Sequence, residues 1–518
     1  MANATQKPYK RVRGLLLAQD PSFLEDLHVV SGRNFMPRLE GPETCFASDL
    51  LTNGNADFGI YVDLFRHNGH SIIISERGVW SVDNNCHMTS CMTFSCKETK
   101  SCANDFCYPW SHAYVGETHY YAHPAVGIVA FDTFTNEWKQ LSRKQLGFTD
   151  LIFGITAVNG SLIVLSRDTV TWSAFDEGEL LIENEYQGIG SQNLHLAENG
   201  RPLGVFSDGT GFFTFTTNGI MYSSPMSTAQ VIAGESIESS AVFRHVTFDT
   251  DEFTEVPLSP FVIAKVSKAR IAFMSHKGIY QIGRFDNNQF ALKPLDPVMN
   301  RWFREKLFKC FPYETCGRLR LFYDGQEGWL YVSIAKETYV YDEALVWEFE
   351  LEEWGQFGEP HRVIGEVNFN GNSRANTGYI AHDNYVRRFT KSSVSEYWFG
   401  DAFHKVSHKS FVTIGTITTI IAEGDGDFLS EVSKLVIETG SCPVNRFKAY
   451  LASGNGPCFY KENCNYELMY RQETRNCANY YSCSNQGLYH MVYVTALEAN
   501  EYFAIKTLRV TSQKKGKI

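Results

Sequence analysis

Thirteen cysteines are the residues with the most chemistry to offer in this chain. All but Cys45 are clustered: Cys86, Cys91, Cys96, Cys102 and Cys107 together, Cys310 near Cys316, and Cys442, Cys458, Cys464, Cys477 and Cys483 toward the C-terminus. The first group, with His87 and His112 nearby, has C-x4-C and C-x5-C intervals, looser than the C-x2-C knuckle of a strong zinc signal. Disulfides, a metal and free thiols all stay open for it. Crosslinks are preferred; a short polar segment carrying Lys97, Glu98, Lys100, Asn104 and Asp105 has no core of its own, so either crosslinks or a metal would supply the missing stability. The odd total leaves at least one thiol unpaired or bridging subunits.

Carboxylates come next. Glu343, Glu348, Glu350, Glu352 and Glu353 imitate a glycosidase pair, but their places around Trp347 and Trp354 fit the solvated face of a hairpin better. Ser166-Arg167-Asp168-Thr169-Val170 approaches the Asp-box turn of sialidase propellers, with Val170 where glycine belongs, and reads as an ordinary turn. Asp425-Gly426-Asp427 opens like a calcium loop without the later ligands and reads as a Gly-Asp turn. His67 and His70 flank Asn68-Gly69 and read as surface histidines. No G-x-S-x-G, H-E-x-x-H or G-x-x-x-x-G-K-[ST] occurs. The expectation is a non-enzyme with no catalytic, cofactor-binding or metal residue to name.

The elements that would position any site are short strands. In Ile155 to Ser173, Thr156-Ala157-Val158, the turn Asn159-Gly160, Ser161 to Leu165, the turn Ser166-Arg167-Asp168 and Thr169 to Ser173 form a three-strand meander; Asn-Gly is the favoured type I′ hairpin turn. Similar closing strands are Gly78 to Val82, Gly127 to Phe131, Gly219 to Ser223, Gly278 to Ile282, Thr338 to Asp342 and Asn384 to Arg388. Their spacing, roughly 40 to 60 residues, is close to the period of propeller blades.

The fold class read from this pattern is all-β, a six- or seven-bladed β-propeller with a C-terminal antiparallel β-sandwich. The expected domains are an N-terminal segment, 1–60, that closes the propeller; the propeller itself, 61–400, with a cysteine-rich insert at 86–107; and the sandwich, 401–518, built from alternating runs such as Ser410 to Glu423 and Tyr502 to Thr511. One helix is expected over Pro297 to Phe308, where Met299, Trp302, Phe303 and Leu307 share a face.

Composition bounds the function. The chain has 518 residues, 43% hydrophobic and 14% aromatic, enough for a large core and against dominant disorder. A net charge of −11 has the wrong sign for a protein that grips phosphate backbones. The most apolar window, Phe411 to Ala422, is too short to span a bilayer, and Gly14 to Ala18 is too short for a signal peptide, so no membrane span or secretory route is expected. Many cysteines without a secretory signal conflict, unless the protein is made in a cytoplasm and works outside a cell. A virion component resolves that conflict.

The order of phrases resembles the tail nozzle proteins of short-tailed bacteriophages, also called packaged-DNA stabilisation or tail hub proteins. It is carried by Gly160 to Ser166 with Val170 to Ser173, Ala272 to Tyr280, Val340 to Trp347 with Glu353 to Phe357, and Phe503 to Val510. The resemblance implies a podovirus virion protein of the short tail, assembled in the host cytoplasm. It implies a homo-hexameric ring below the adaptor and portal ring proteins, with tail fibre or needle proteins as neighbours. Double-stranded DNA would be retained and then pass through the lumen during genome ejection through the host cell envelope, without specific binding. The cysteine-rich segments depart from the family pattern, and no residue role carries over. An acidic subunit suits such a lumen, since each Lys or Arg contact to phosphate would add friction. Two other readings stay open: a receptor- or glycan-binding propeller of a phage tail, and a glycan-hydrolysing propeller.

Overall fold

The structure is a computed structural model. It describes residues 5–6, 10–15, 28–36, 41–44, 46–50, 56–67, 70–83, 87–94, 108–182, 189–194, 200–224, 242–245, 255–267, 269–284, 290–296, 299–300, 303, 319–325, 328–334, 337–342, 354–357, 363–368, 375–380, 386–390, 396–399, 402–405, 411–417, 428–439, 445–454, 467–474, 478–487, 489–497 and 502–517.

The alternation of apolar and polar residues produces strands almost throughout, and the fold is a β-propeller with further sheets. Two compact units divide the chain differently from the consecutive spans 1–60, 61–400 and 401–518. One gathers residues 1–53, 327–361 and 387–518; the other takes 54–326 and 362–386.

The second unit holds five complete four-stranded antiparallel sheets in succession, spanning Asp63 to Thr93, Ser111 to Leu141, Ile152 to Asn193, Pro202 to His245 and Ile263 to Pro294. Their first strands are labelled β1 (Asp63–His67), β2 (Ser111–Val115), β3 (Ile152–Val158), β4 (Pro202–Ser207) and β5 (Ile263–Lys265). Two further strands of this unit, β6 (Leu319–Asp324) and β7 (Val363–Asn368), continue the series. The core lies between successive sheets. Ile155, Leu162 and Val164 pack on Ala122, Ile128 and Ala130 of the sheet before, all at 3% exposure or less.

The recurring phrase is the third strand of its sheet and not the closing one. The meander that ends at Trp172 gains a fourth strand, Gly190–Asn193, paired to Thr169–Trp172. Asn159 and Gly160 have φ of 48° and 80°, both positive as a type I′ turn requires.

In the first unit, Phe46–Leu50 pairs antiparallel with Arg387, Arg388 and Thr390, while Trp354–Phe357 pairs with Glu337–Asp342 and continues to Phe35–Met36. Two larger sheets follow. One orders Thr5–Gln6, Ile505–Lys517, Phe428–Thr439 and Ala478–Gly487; the other includes His28–Arg33, Phe411–Ile417, Tyr489–Ala496 and Asn445–Gly454. Phe447, Ala449 and Leu451 alternate as fully buried residues, the period-two signature of a strand with one face in a core. Of the expected helix, Met299, Asn300 and Phe303 are helical, with Met299 and Phe303 buried, which fits packing; Trp302 and Leu307 lie outside the described residues.

Candidate functional site in the propeller channel

The seven strands β1 to β7 each contribute to the lining of one cavity of about 490 Å³. A first strand in each sheet has one neighbour instead of two, so its free edge faces the axis, and the channel is where free edges converge.

Polar side chains tie one inner strand to the next. Asp63 opens β1, accepts the backbone N–H of Trp110 at 3.1 Å, just ahead of β2, and forms an ion pair with Arg320 of β6. The Trp110 indole N–H donates to the Tyr61 carbonyl at 2.8 Å. Ser111 Oγ of β2 accepts from Ile155 N of β3 at 2.9 Å, and Thr156 Oγ1 of β3 accepts from Ser207 N of β4 at 3.2 Å. Both carboxylate and guanidinium are nearly buried, at 4% and 11% side-chain exposure. Burial pushes the Asp63 carboxyl up, opposed by the attraction of Arg320 and the Trp110 N–H.

Beside the channel, β1, β2 and the strand Thr118–His123 bring histidines together. His112 Nε2 and His119 Nδ1 are 2.9 Å apart with rings at 14°. His67 stacks on His119 at 4.3 Å and its Nδ1 meets the Tyr121 hydroxyl at 3.1 Å. Desolvation, with the neighbouring imidazoles, pushes His67 and His112 down to about 3; desolvation alone takes His119 to about 4. His123 is fully buried; its Nδ1 accepts from Ala125 N at 3.1 Å, so its Nε2–H donates to the Tyr108 carbonyl at 3.0 Å. That pair of bonds fits one neutral tautomer. The surface reading of His67 is thus corrected: it is 5% exposed and packs on Phe131, whereas His70 is exposed. Among the described residues no group of three or more His, Cys, Asp or Glu has metal-holding geometry.

The other residues singled out from the sequence do not join this site. Cys91 carries a free, exposed thiol on the outer strand Met88–Thr93, so the free-thiol alternative holds for it. Cys483 lies in the strand Ala478–Gly487, and Cys45, Cys86, Cys96, Cys102, Cys107, Cys310, Cys316, Cys442, Cys458, Cys464 and Cys477 lie outside the described residues. So do the glutamates from 343 to 353 and Asp425 to Asp427. Ser166 to Thr169 is a hairpin turn, closed by Ser166 Oγ on the Thr169 hydroxyl at 2.7 Å.

A second surface feature lies on one rim of the propeller. Phe134, Phe175 and Ile182 are 85%, 69% and 65% exposed, with Tyr114 at 50% and Leu180 at 39%. Their turns are tied together: Thr133 N donates to Glu117 O at 3.0 Å, and a Cβ on Gly116 would stand 3.0 Å from the Asp176 carbonyl.

No protein-family model matches the sequence, and no curated protein matches it. Among solved structures the chain is similar to a streptogramin B lyase, at 8% identity and TM-score 0.42 over 67% of this chain and 97% of that one. It is also similar to the β-propeller domain of Myceliophteria thermophila Cps50 (Swd1), at 10% identity and TM-score 0.39 over 65% and 98%. The WD40 β-propeller domain of Doa1 gives 13% identity and TM-score 0.40 over 67% and 98%. At these identities the likeness is one of fold alone.

Proposed function

We propose that this β-propeller protein is a non-enzymatic virion component, a phage tail nozzle or hub subunit with seven blades. In this reading it forms a ring-shaped channel that retains packaged DNA and conducts it during ejection. The observation that carries the assembly part is the apolar rim of Phe134, Phe175, Leu180 and Ile182. Exposed large apolar side chains gathered on tied turns favour a covering partner. The order of phrases supplies the kind of assembly, a homo-hexamer docked to adaptor and portal rings. Six acidic subunits, each at −11, give a lumen that repels phosphate.

Native mass measurement with negative-stain microscopy tests this reading. Rings of about six times 58.8 kDa are expected. A stable monomer that binds host cells, or one that releases sugar from host polysaccharide, overturns it in favour of an adhesin or a glycosidase.

A further inference from the structure

The exposed apolar rim is also acidic. Glu117 and Glu137 border the turn of Phe134, and Asp176, Glu177 and Glu179 follow Phe175; all five are exposed. Lys139 pairs with Glu179 at 2.7 Å, and among the described residues the other four carboxylates are in no ion pair. A rim of this kind is a poor partner for itself. In a two-fold contact both copies present the same patch, so these carboxylates would face their own counterparts across a drying interface. The surface that covers Phe134 and Phe175 is therefore a different one, and basic.

One sheet of the first unit has that character. Its strands Thr5–Gln6, Lys10–Arg11, Ile505–Lys517, Phe428–Thr439 and Ala478–Gly487 carry eight Lys and Arg against Glu431 and Glu438, an excess of six positive charges in a protein of net charge −11. Lys434, Lys506 and Arg509 already have contacts within the chain. The remaining five stand at register positions with no acid opposite. Lys10 faces Leu508, Arg11 faces Thr507, Lys514 faces Ser430 and Lys517 faces Phe428, while Lys515 falls at a register shift.

We infer that the acidic apolar rim of one copy docks on this basic sheet of the next copy. The rim has the make-up of a docking surface, apolar side chains at its centre with charges around them. Opposite charge on the two faces guides the encounter and penalises the self-contact. A contact between two different faces of identical chains is heterologous; it repeats from copy to copy and closes into a ring where the rotation allows. This contact rests on the assembly reading above and names the two faces that it joins.

The test is a charge swap in the whole chain, read by native mass measurement. A rim variant carries Asp176→Lys with Glu177→Lys, and a sheet variant carries Lys514→Glu with Lys515→Glu. Each alone should lower the ring fraction about tenfold or more, because each sets like charges against each other at every contact. An equimolar mixture should restore rings in which the two variants alternate, since the reversed rim then meets the reversed sheet and each unchanged face meets its unchanged partner. Circular dichroism checks that each variant is folded. Should either pair unfold, Glu117→Lys with Glu137→Lys on the rim and Lys10→Glu with Arg11→Glu on the sheet take their place. Rings that persist in both variants overturn this inference alone, as do rings that are lost in each variant and not restored by mixing. A wild-type chain that forms no rings overturns the assembly reading and this inference with it.

Discussion

Asp63 and Arg320 are 257 residues apart in the sequence and form an ion pair that joins the first inner strand of the propeller to the sixth. Both groups are nearly buried, so the pair matters more for what its rupture leaves behind than for its own net energy. Asp63→Asn leaves a buried guanidinium without its countercharge and should cost about 3 to 5 kcal/mol in urea denaturation. The apolar pair Asp63→Leu with Arg320→Met should recover most of that loss. Equal losses for the single and double variants would show that the pair does not close the ring.

Acid should loosen the contact between the first two sheets. His67, His112 and His119 stay neutral in the fold down to about 3 to 4, whereas in the unfolded chain they take up a proton near 6.5. Between those values the unfolded state binds more protons, so stability is fully present above pH 6.5 and falls as the pH drops toward 3. Melting temperatures across that window should decline, and His112→Asn should flatten the decline. His70 faces the same cluster, and the Tyr121 hydroxyl meets the His67 ring.

Gly283 is held by a backbone contact. It pairs with Arg270 at φ 153°, and a Cβ there would stand 2.1 Å from the Ala269 carbonyl oxygen and 2.9 Å from the Arg270 Cα. Neither is the flexible end of a side chain. Gly283→Ala should therefore lower stability by about 2 kcal/mol or more, read as a shift of the denaturation midpoint.

How far this was visible in the residues depends on the range of the contacts. Gly78 to Val82 and Thr169 to Trp172 announce themselves because alternation is a local property, and Asn159-Gly160 because its turn type demands positive φ. The outer strand Gly190–Asn193 has neither alternation nor β-branched residues; it is a strand because Thr169–Trp172 offers it an edge. The channel was invisible for a different reason. No local pattern ties Asp63 to Arg320, and His67 looked exposed beside Asn68-Gly69 because its cover, His119 and Phe131, comes from the next sheet.

The apolar rim gives a prediction that separates assembly from folding. Phe134→Ser with Phe175→Ser removes two rings that are 85% and 69% exposed, so the melting temperature should hold within the small range usual for surface changes, about 0.5 kcal/mol. The proposed ring, by contrast, should fall apart in size-exclusion chromatography. Intact rings from the double variant would place the subunit contact elsewhere.

Thr5 faces Ser512 across paired strands, and Lys10 faces Leu508. During synthesis these two strands must therefore wait for partners more than 490 residues behind them, about 25 to 100 s at ordinary elongation rates. The five complete propeller sheets need nothing beyond Pro294 for their own pairing and can form while the ribosome is still working. Translation thereby acts as a clock, and the sheet that holds both Thr5 and Ser512 is assembled after those five.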